Sequence, residues 1–237
     1  MSNKTLNHLV YDIKNIAYGG TQSDDTPVSD RQVAYWINQV GADLKEQSMS
    51  TSKSIPDAFV QHIECIELDC IDPSECCGVS IGNTEKLLRS TQRIPITIQR
   101  RGKNTIVSVS SVDKEVSFSE TSYYRQRVNK FNKYTGNKPR WFLKDNYLYV
   151  VSGFVMDHIS LAGVFDDPTE VLEFNNCEGT PCFTWDSLYP ITSKIAGLIT
   201  DIVLSKKLGI VLQAPRDDAN DGRGRTEPTS NTTNDNN

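Results

Sequence analysis

Residues 189–212 read YPITSKIAGLITDIVLSKKLGIVL, and residues 213–237 read QAPRDDANDGRGRTEPTSNTTNDNN. The boundary between the two decides the architecture. Ile191, Ile195, Leu198, Ile199, Ile202 and Val203 recur at helical spacing and predict a helix that is apolar over a broad face. Pro190 stands where such a helix begins, a position at which its missing N–H is not needed. Lys206 and Lys207 suit the negative end of the helix dipole. Past Leu212 there is no aromatic residue and no aliphatic one larger than Ala, so little apolar surface is left to offset the entropy of ordering. The domain therefore closes on a helix and continues as an extended polar arm, 213–237. Such an arm is either a solvated terminus or a peptide that folds onto a partner.

Working back from that helix, the opening of the chain carries two more. Leu6, Leu9, Val10, Ile13, Ile16 and Ala17 form one apolar stripe, stopped by Gly19-Gly20. Ser29 with Gln32 three residues on is a capping-box arrangement. Val33, Trp36, Ile37, Val40 and Leu44 then make the second stripe. Between Phe59 and about Val151 the period changes. Ile94, Ile96 and Ile98 alternate with Pro95, Thr97 and Gln99 and read as a strand. RRGKN (100–104) is a hairpin-turn candidate before Ile106, Val107 and Val109. Residues 142–151, FLKDNYLYVV, read as a second hairpin turning at Lys144-Asp145-Asn146. Ile159, Leu161, Gly163 and Phe165 form another alternating run, and Asp166-Asp167-Pro168 reads as a turn capping a short helix at 169–174.

The predicted class is α+β. The expected divisions are an N-terminal helical part (1–54), a β-rich hairpin insertion (55–166), a C-terminal helical part (167–212) and the arm (213–237). Two N-terminal helices and one C-terminal helix make the body. No apolar run reaches the length of about 18 residues that a membrane-crossing helix needs. The first residues lack the pattern of a signal peptide, so a cytoplasm is the expected place of synthesis. There the 6 cysteines are expected as thiols unless a metal holds them. The formal net charge of −5 argues against a general nucleic-acid binder. It suits a protein past which DNA slides without sticking.

Cys65-x4-Cys70 and Cys177-x4-Cys182 approach the paired spacing of structural zinc ligands, though neither is a clean C-x-x-C. Buried free thiols are the competing reading. His8, His62 and His158 fall in no HExxH, HxH or Cys/His pattern, and no phosphate-binding loop is present. No catalytic residue and no cofactor is assigned. In 123–140, Arg125, Arg127, Lys130, Lys133, Lys138 and Arg140 interleave with Tyr123, Tyr124, Phe131 and Tyr134. That mixture reads first as a subunit interface, then as a solvated face, and third as a nucleic-acid contact. An enzyme built from scattered residues and a zinc-stabilised nucleic-acid-binding protein stand as the alternative classes.

Several segments carry a resemblance in order. They are DIKNIAYGG (12–20), SDDTPVSDRQVAYWINQVGADLKEQ (23–47), SIPDAFVQHIECIELDC (54–70), RSTQRIPITIQ (89–99), LKDNYLYV (143–150) and GVFDDPTEVLEF (163–174). Cys182, Trp185 and Tyr189-Pro190-Ile191 complete the series. Together they resemble head-to-tail connector (neck ring, or adaptor) proteins of crAss-like and related short-tailed bacteriophages. The resemblance implies a non-enzymatic virion protein that forms a homo-oligomeric ring of about twelve copies beneath the portal protein. It also implies contact with other neck and tail ring proteins, and a lumen that passes genomic dsDNA without binding it specifically. It implies no membrane and no cofactor. The arm would grip the portal or a neighbouring subunit, so the expected partner interface comprises Tyr123, Tyr124, Arg125, Arg127 and Lys130 with Gln213, Pro215, Arg216, Arg223 and Arg225.

Overall fold

A computed structural model describes residues 4–19, 28–74, 79, 81, 85–128 and 138–209. Helix α1 (Leu6–Tyr18) starts at Thr5, whose side chain accepts the His8 N–H, and ends at Gly19 with φ +66°. Only a residue at ease in the left-handed region closes a helix in this way. Helix α2 (Asp30–Thr51) is capped by Ser29, which accepts from the Gln32 N–H. The stripes are buried through Leu6, Leu9, Val10 and Ile13 of α1 and Val33, Ala34, Ile37 and Val40 of α2, whereas Ile16, expected in the first stripe, is exposed.

The closing helix, α4 (Ser193–Ile202), begins later than Pro190 and runs on through one wider π turn, Val203–Leu208. The reason is local. Tyr189 is fixed by its N–H to Lys4 O at 3.1 Å and by its buried hydroxyl to Asn38 Oδ1 at 2.7 Å. The chain then turns through Ile191 before Thr192 can cap the helix by accepting the Ile195 N–H. Helices α1, α2 and α4 pack on one another as the body.

Between α2 and α4 lie the strands β1 (Gln61–Ile71), β2 (Lys86–Ser90), β3 (Gln99–Arg100), β4 (Lys103–Asn104), β5 (Ile106–Ser111), β6 (Ser119–Glu120), β7 (Arg140–Lys144), β8 (Tyr147–Ser152) and β9 (His158–Gly163). A short helix, α3 (Tyr123–Val128), precedes β7. Seven strands form one sheet in the order β5-β9-β1-β2-β8-β7-β6, and β3 with β4 make a separate hairpin. The ends of the sheet are joined. Ser117 bridges to Ser110, and the Phe118 N–H reaches Val109 O at 2.9 Å. Three residues on, the Thr121 N–H reaches Trp141 O at 2.8 Å. Hydrogen bonding thus runs right round the seven-stranded sheet, which curls into a closed barrel.

Alternation decides what faces inward. Leu88, Trp141, Leu148 and Val150 join Ile63, Val109, Phe118 and Leu161 in the main core. Their neighbours Leu87, Phe142, Tyr149 and Val151 pack in a second cluster on the outer wall. Both hairpin turns read from the sequence are present. Arg101 and Gly102 have φ +53° and +73°, and Asp145 and Asn146 have φ +53° and +62°. Two successive positive φ values are the I′ geometry that matches strand twist.

Ile94–Ile98 differs from expectation. It is not a strand: Ile94 and Ile98 are buried, whereas Ile96 is exposed. It runs extended, with the Ile98 N–H on Val164 O at 3.0 Å and the Asp166 N–H on Ile96 O at 2.8 Å. Pro95 lacks the donor a regular ladder would use.

A polar seam joins barrel to body. Lys45 of α2, wholly buried, donates to Phe165 O at 2.9 Å. Asn38 Nδ2 donates to Asp167 Oδ1 at 2.7 Å. Asp167 also accepts the Thr169 N–H at 2.8 Å and so caps the 3-10 turn Pro168–Glu173, as the sequence predicts. Burial lowers the Lys45 pKa to about 8, against the opposing pull of Asp166 and Asp167. Burial, with Asp167 adding to it, raises the pKa of the Tyr189 hydroxyl.

Candidate assembly surfaces

The outer wall of β2, β8 and β7 carries the basic and aromatic residues. Beneath this wall Tyr149 stacks on Phe142 at 5.0 Å, both rings buried, Tyr123 lies 6.0 Å from Phe142, and Tyr124 meets Tyr123 edge-on at 5.6 Å. Ser122 holds the start of α3 by accepting the Arg125 N–H at 3.1 Å. The ladder therefore ends on Tyr124, which is 75% exposed. Cations lie over these rings. Lys144 Nζ is 5.0 Å from the Tyr123 ring, while Arg89 and Arg93 approach the Tyr147 ring at 5.3 and 5.6 Å. Each such contact contributes roughly 0.5–1 kcal/mol at an exposed site and fixes the cation's position. A groove of about 690 Å³ beside α3 is lined by Lys103, Glu120, Tyr123, Tyr124, Arg125 and Trp141, among others.

Of the expected interface residues, the structure brings Tyr123, Tyr124 and Arg125 together on this wall. Arg127 lies in α3, but its side chain falls outside the described residues, as do Lys130, Gln213, Pro215, Arg216, Arg223 and Arg225. Arg89, Arg93 and Tyr147 belong to the same wall and were missed. The available signal was RSTQR (89–93) beside a hairpin, and it is readable only once β2 is paired with β8.

A second depression, about 660 Å³, lies on the β1 side. Glu67, His158, Glu173, Phe174, Val112, Cys65 and Cys177 are among its lining residues. The cysteines correct two expectations. Cys65 and Cys177 form a disulfide, with their Cα atoms 5.1 Å apart, so they are not thiols. Nor do Cys65, Cys70, Cys177 and Cys182 assemble as a zinc tetrad. Cys70 lies exposed on the same strand as Cys65, five residues and roughly 16 Å further along. Cys182 is a half-buried free thiol whose pKa is raised by burial. What pairs Cys65 is a β-bulge: the β1–β9 register shifts between Ile63 and Ile66, and Cys65 takes φ +55°. Among the described residues no group of three or more His, Cys, Asp or Glu is placed to hold a metal ion. No described helix is long and apolar enough to cross a membrane.

The described chain ends beside α2, where Lys207 Nζ donates to Gln39 Oε1 at 3.1 Å.

The family model described as Phage tail ring protein 2, of the CrAss-like group, matches residues 8–235, and the chain belongs to that family. It is accordingly a structural ring protein of the bacteriophage virion, assembling with other tail proteins. A search of curated proteins finds no match.

Proposed function

We propose that this ring sits in the phage neck as a connector, joining the portal to the tail and lining the passage for DNA. The ring holds roughly twelve copies, and closes because each subunit presents two different faces to its neighbours. The observation that carries this reading is the extent of the family match. It spans body, barrel and nearly all of the arm, ending at residue 235. A stretch shared to that depth supports a role for the arm beyond that of a solvated tail. The arm docks on the portal or on a neighbouring subunit by coupled folding and binding. Many arms engaged together hold firmly even where each binds weakly. The net charge of −5 favours a wall past which packaged DNA slides.

The test is electron microscopy with native mass spectrometry of the full chain and of a version ending at Leu212, each alone and mixed with the portal. A ring on the portal that weakens with the shortened chain is the expected result. A chain that ignores the portal in both forms would remove the connector reading.

A further inference from the structure

We infer that the ring closes by seating the basic–aromatic wall of one copy in the acidic groove of the next. This inference rests on the ring reading above and names the two faces that meet.

The wall is strongly cationic for a chain of net charge −5. Arg89, Arg93, Lys144 and Arg125 gather on and beside β2, β7 and α3, with Asp69 opposite Arg89, Glu85 paired to Arg140, and Asp145 and Glu120 at the margins. Its rings are already stacked and its cations already rest on them, so little side-chain freedom remains to be lost on binding. Arg and Tyr in that setting are what interface centres are made of.

The groove carries the opposite charge. Glu67 and Glu173 line it, both exposed, with Asp157 and Glu178 exposed on the adjoining turns. Phe174, Ile66 and the exposed Val112 supply an apolar floor of the kind an aromatic side chain fills. Lys114 is a cation on this side and pairs with Glu64 at 3.8 Å, while Arg93 follows the lining residues Thr91 and Gln92 at its rim. The disulfide between Cys65 and Cys177 ties the loop bearing Glu173 and Glu178 to β1, so the groove keeps its shape before any partner arrives.

The two faces are not the same surface. Arg89 and Arg93, on and just past β2, adjoin the groove, Arg89 lying opposite Asp69 of β1, whereas Lys144 and Arg125 stand further off on β7 and α3. A copy that offers its wall to one neighbour therefore keeps its groove for another. Unlike faces of this kind give a head-to-tail contact that repeats round a ring and does not stop at a dimer. A nucleic acid would meet the wall equally well by charge, but it leaves the acidic groove without a use.

Full-length chains carrying R93E with R125E, or E67K with E173K, test the pairing, each first checked for native circular dichroism. Wild type is expected to self-associate more weakly as salt rises from about 50 to 500 mM, because the charges are screened. Each double reversal should weaken association roughly 100-fold. An equimolar mixture of the two should restore it, since both unlike contacts are then complementary in alternating order. Sedimentation velocity and native mass spectrometry read all three. If either reversal forms rings as readily as wild type, the paired faces are wrong and the ring reading survives. If wild type stays monomeric at every salt concentration up to about 1 mM protein, the wall does not bind the groove, and the pairing falls while a ring assembled on the portal still stands. If R93E with R125E abolishes binding of a short DNA duplex but leaves self-association intact, the wall is a nucleic-acid surface and the inference is overturned.

Discussion

Lys45 is a cation with no exposure at all, held by one hydrogen bond to Phe165 O and by the field of Asp166 and Asp167. Burial is the largest influence and brings its pKa from 10.5 down to about 8. A depression of that size costs roughly 3 kcal/mol whenever both folded and unfolded chains carry the proton, which is the case below pH 8. Between pH 8 and 10.5 the unfolded chain holds the proton more often than the folded one, so the Lys45 contribution makes stability rise with pH. Lys45→Met removes that contribution. The stability of wild type relative to the variant should climb by about 3 kcal/mol from pH 7.5 to 10.5, read by urea unfolding of both proteins in the same buffers. Parallel curves would show that Lys45 does not titrate in this window. Nothing in the residue's own neighbourhood of sequence marks it. It follows Leu44 at the edge of an apolar stripe, and the carbonyl that receives it is 120 positions away.

Helix caps belong to the next scale, and they were legible because their chemistry is local. Ser29 accepts the Gln32 N–H at 3.2 Å, as the spacing of the two residues suggests. Ser29→Ala should cost about 1 kcal/mol, whereas Ser29→Gly should cost only a few tenths. No loss for Ser29→Ala, measured by thermal unfolding, would mean that the hydroxyl does no capping. The paired positive φ values at Arg101-Gly102 and Asp145-Asn146 were legible for the same reason. By contrast, the strand expected at Ile94–Ile98 follows its pattern only in part, because Pro95 and its partner segment 164–166 decide its hydrogen bonds. The disulfide was illegible. Its halves are 112 residues apart and meet through a bulge that no spacing announces. Closing so long a loop should be worth about 2–4 kcal/mol. Reductant should therefore lower Tm of the wild-type chain and leave a Cys65→Ala, Cys177→Ala double variant unmoved. A wild-type Tm indifferent to reductant would indicate that the bond contributes nothing to the fold.

Taken whole, the order of helices, β-rich insertion and helix could be read from periodicity, but the closure of the barrel could not. It depends on residues 116–121 serving two strands at once, β5 through Phe118 and β7 through Thr121. The candidate interface was half visible for a related reason. Tyr123, Tyr124 and Arg125 are contiguous in sequence, whereas Arg89, Arg93 and Tyr147 reach them only across paired strands. The same long-range wiring bears on how the molecule unfolds. One core cluster takes in Leu9 of α1, Ile37 of α2, Ile199 of α4 and Trp141, Leu148 and Leu161 of the barrel. Arg100, in the separate β3–β4 hairpin, donates to Met49 O at 3.1 Å and to Ser52 O at 2.5 Å, at the end of α2. The two halves of the body are closed on each other by the Asn7 N–H to Trp185 O at 3.1 Å and the Tyr189 N–H to Lys4 O at 3.1 Å. Neither barrel nor body can open without exposing the shared core, so unfolding should be a single cooperative transition. A variant with Trp36→Phe and Trp185→Phe leaves Trp141 as the reporter of the barrel, while far-ultraviolet ellipticity at 222 nm reports the helices. The two denaturation curves should coincide. Asn38→Ala, which cuts the seam to Asp167 and strands the Tyr189 hydroxyl, should move both midpoints down together. If ellipticity fell while the Trp141 signal held, the barrel would be an independent unit and the seam a mere contact between two folds.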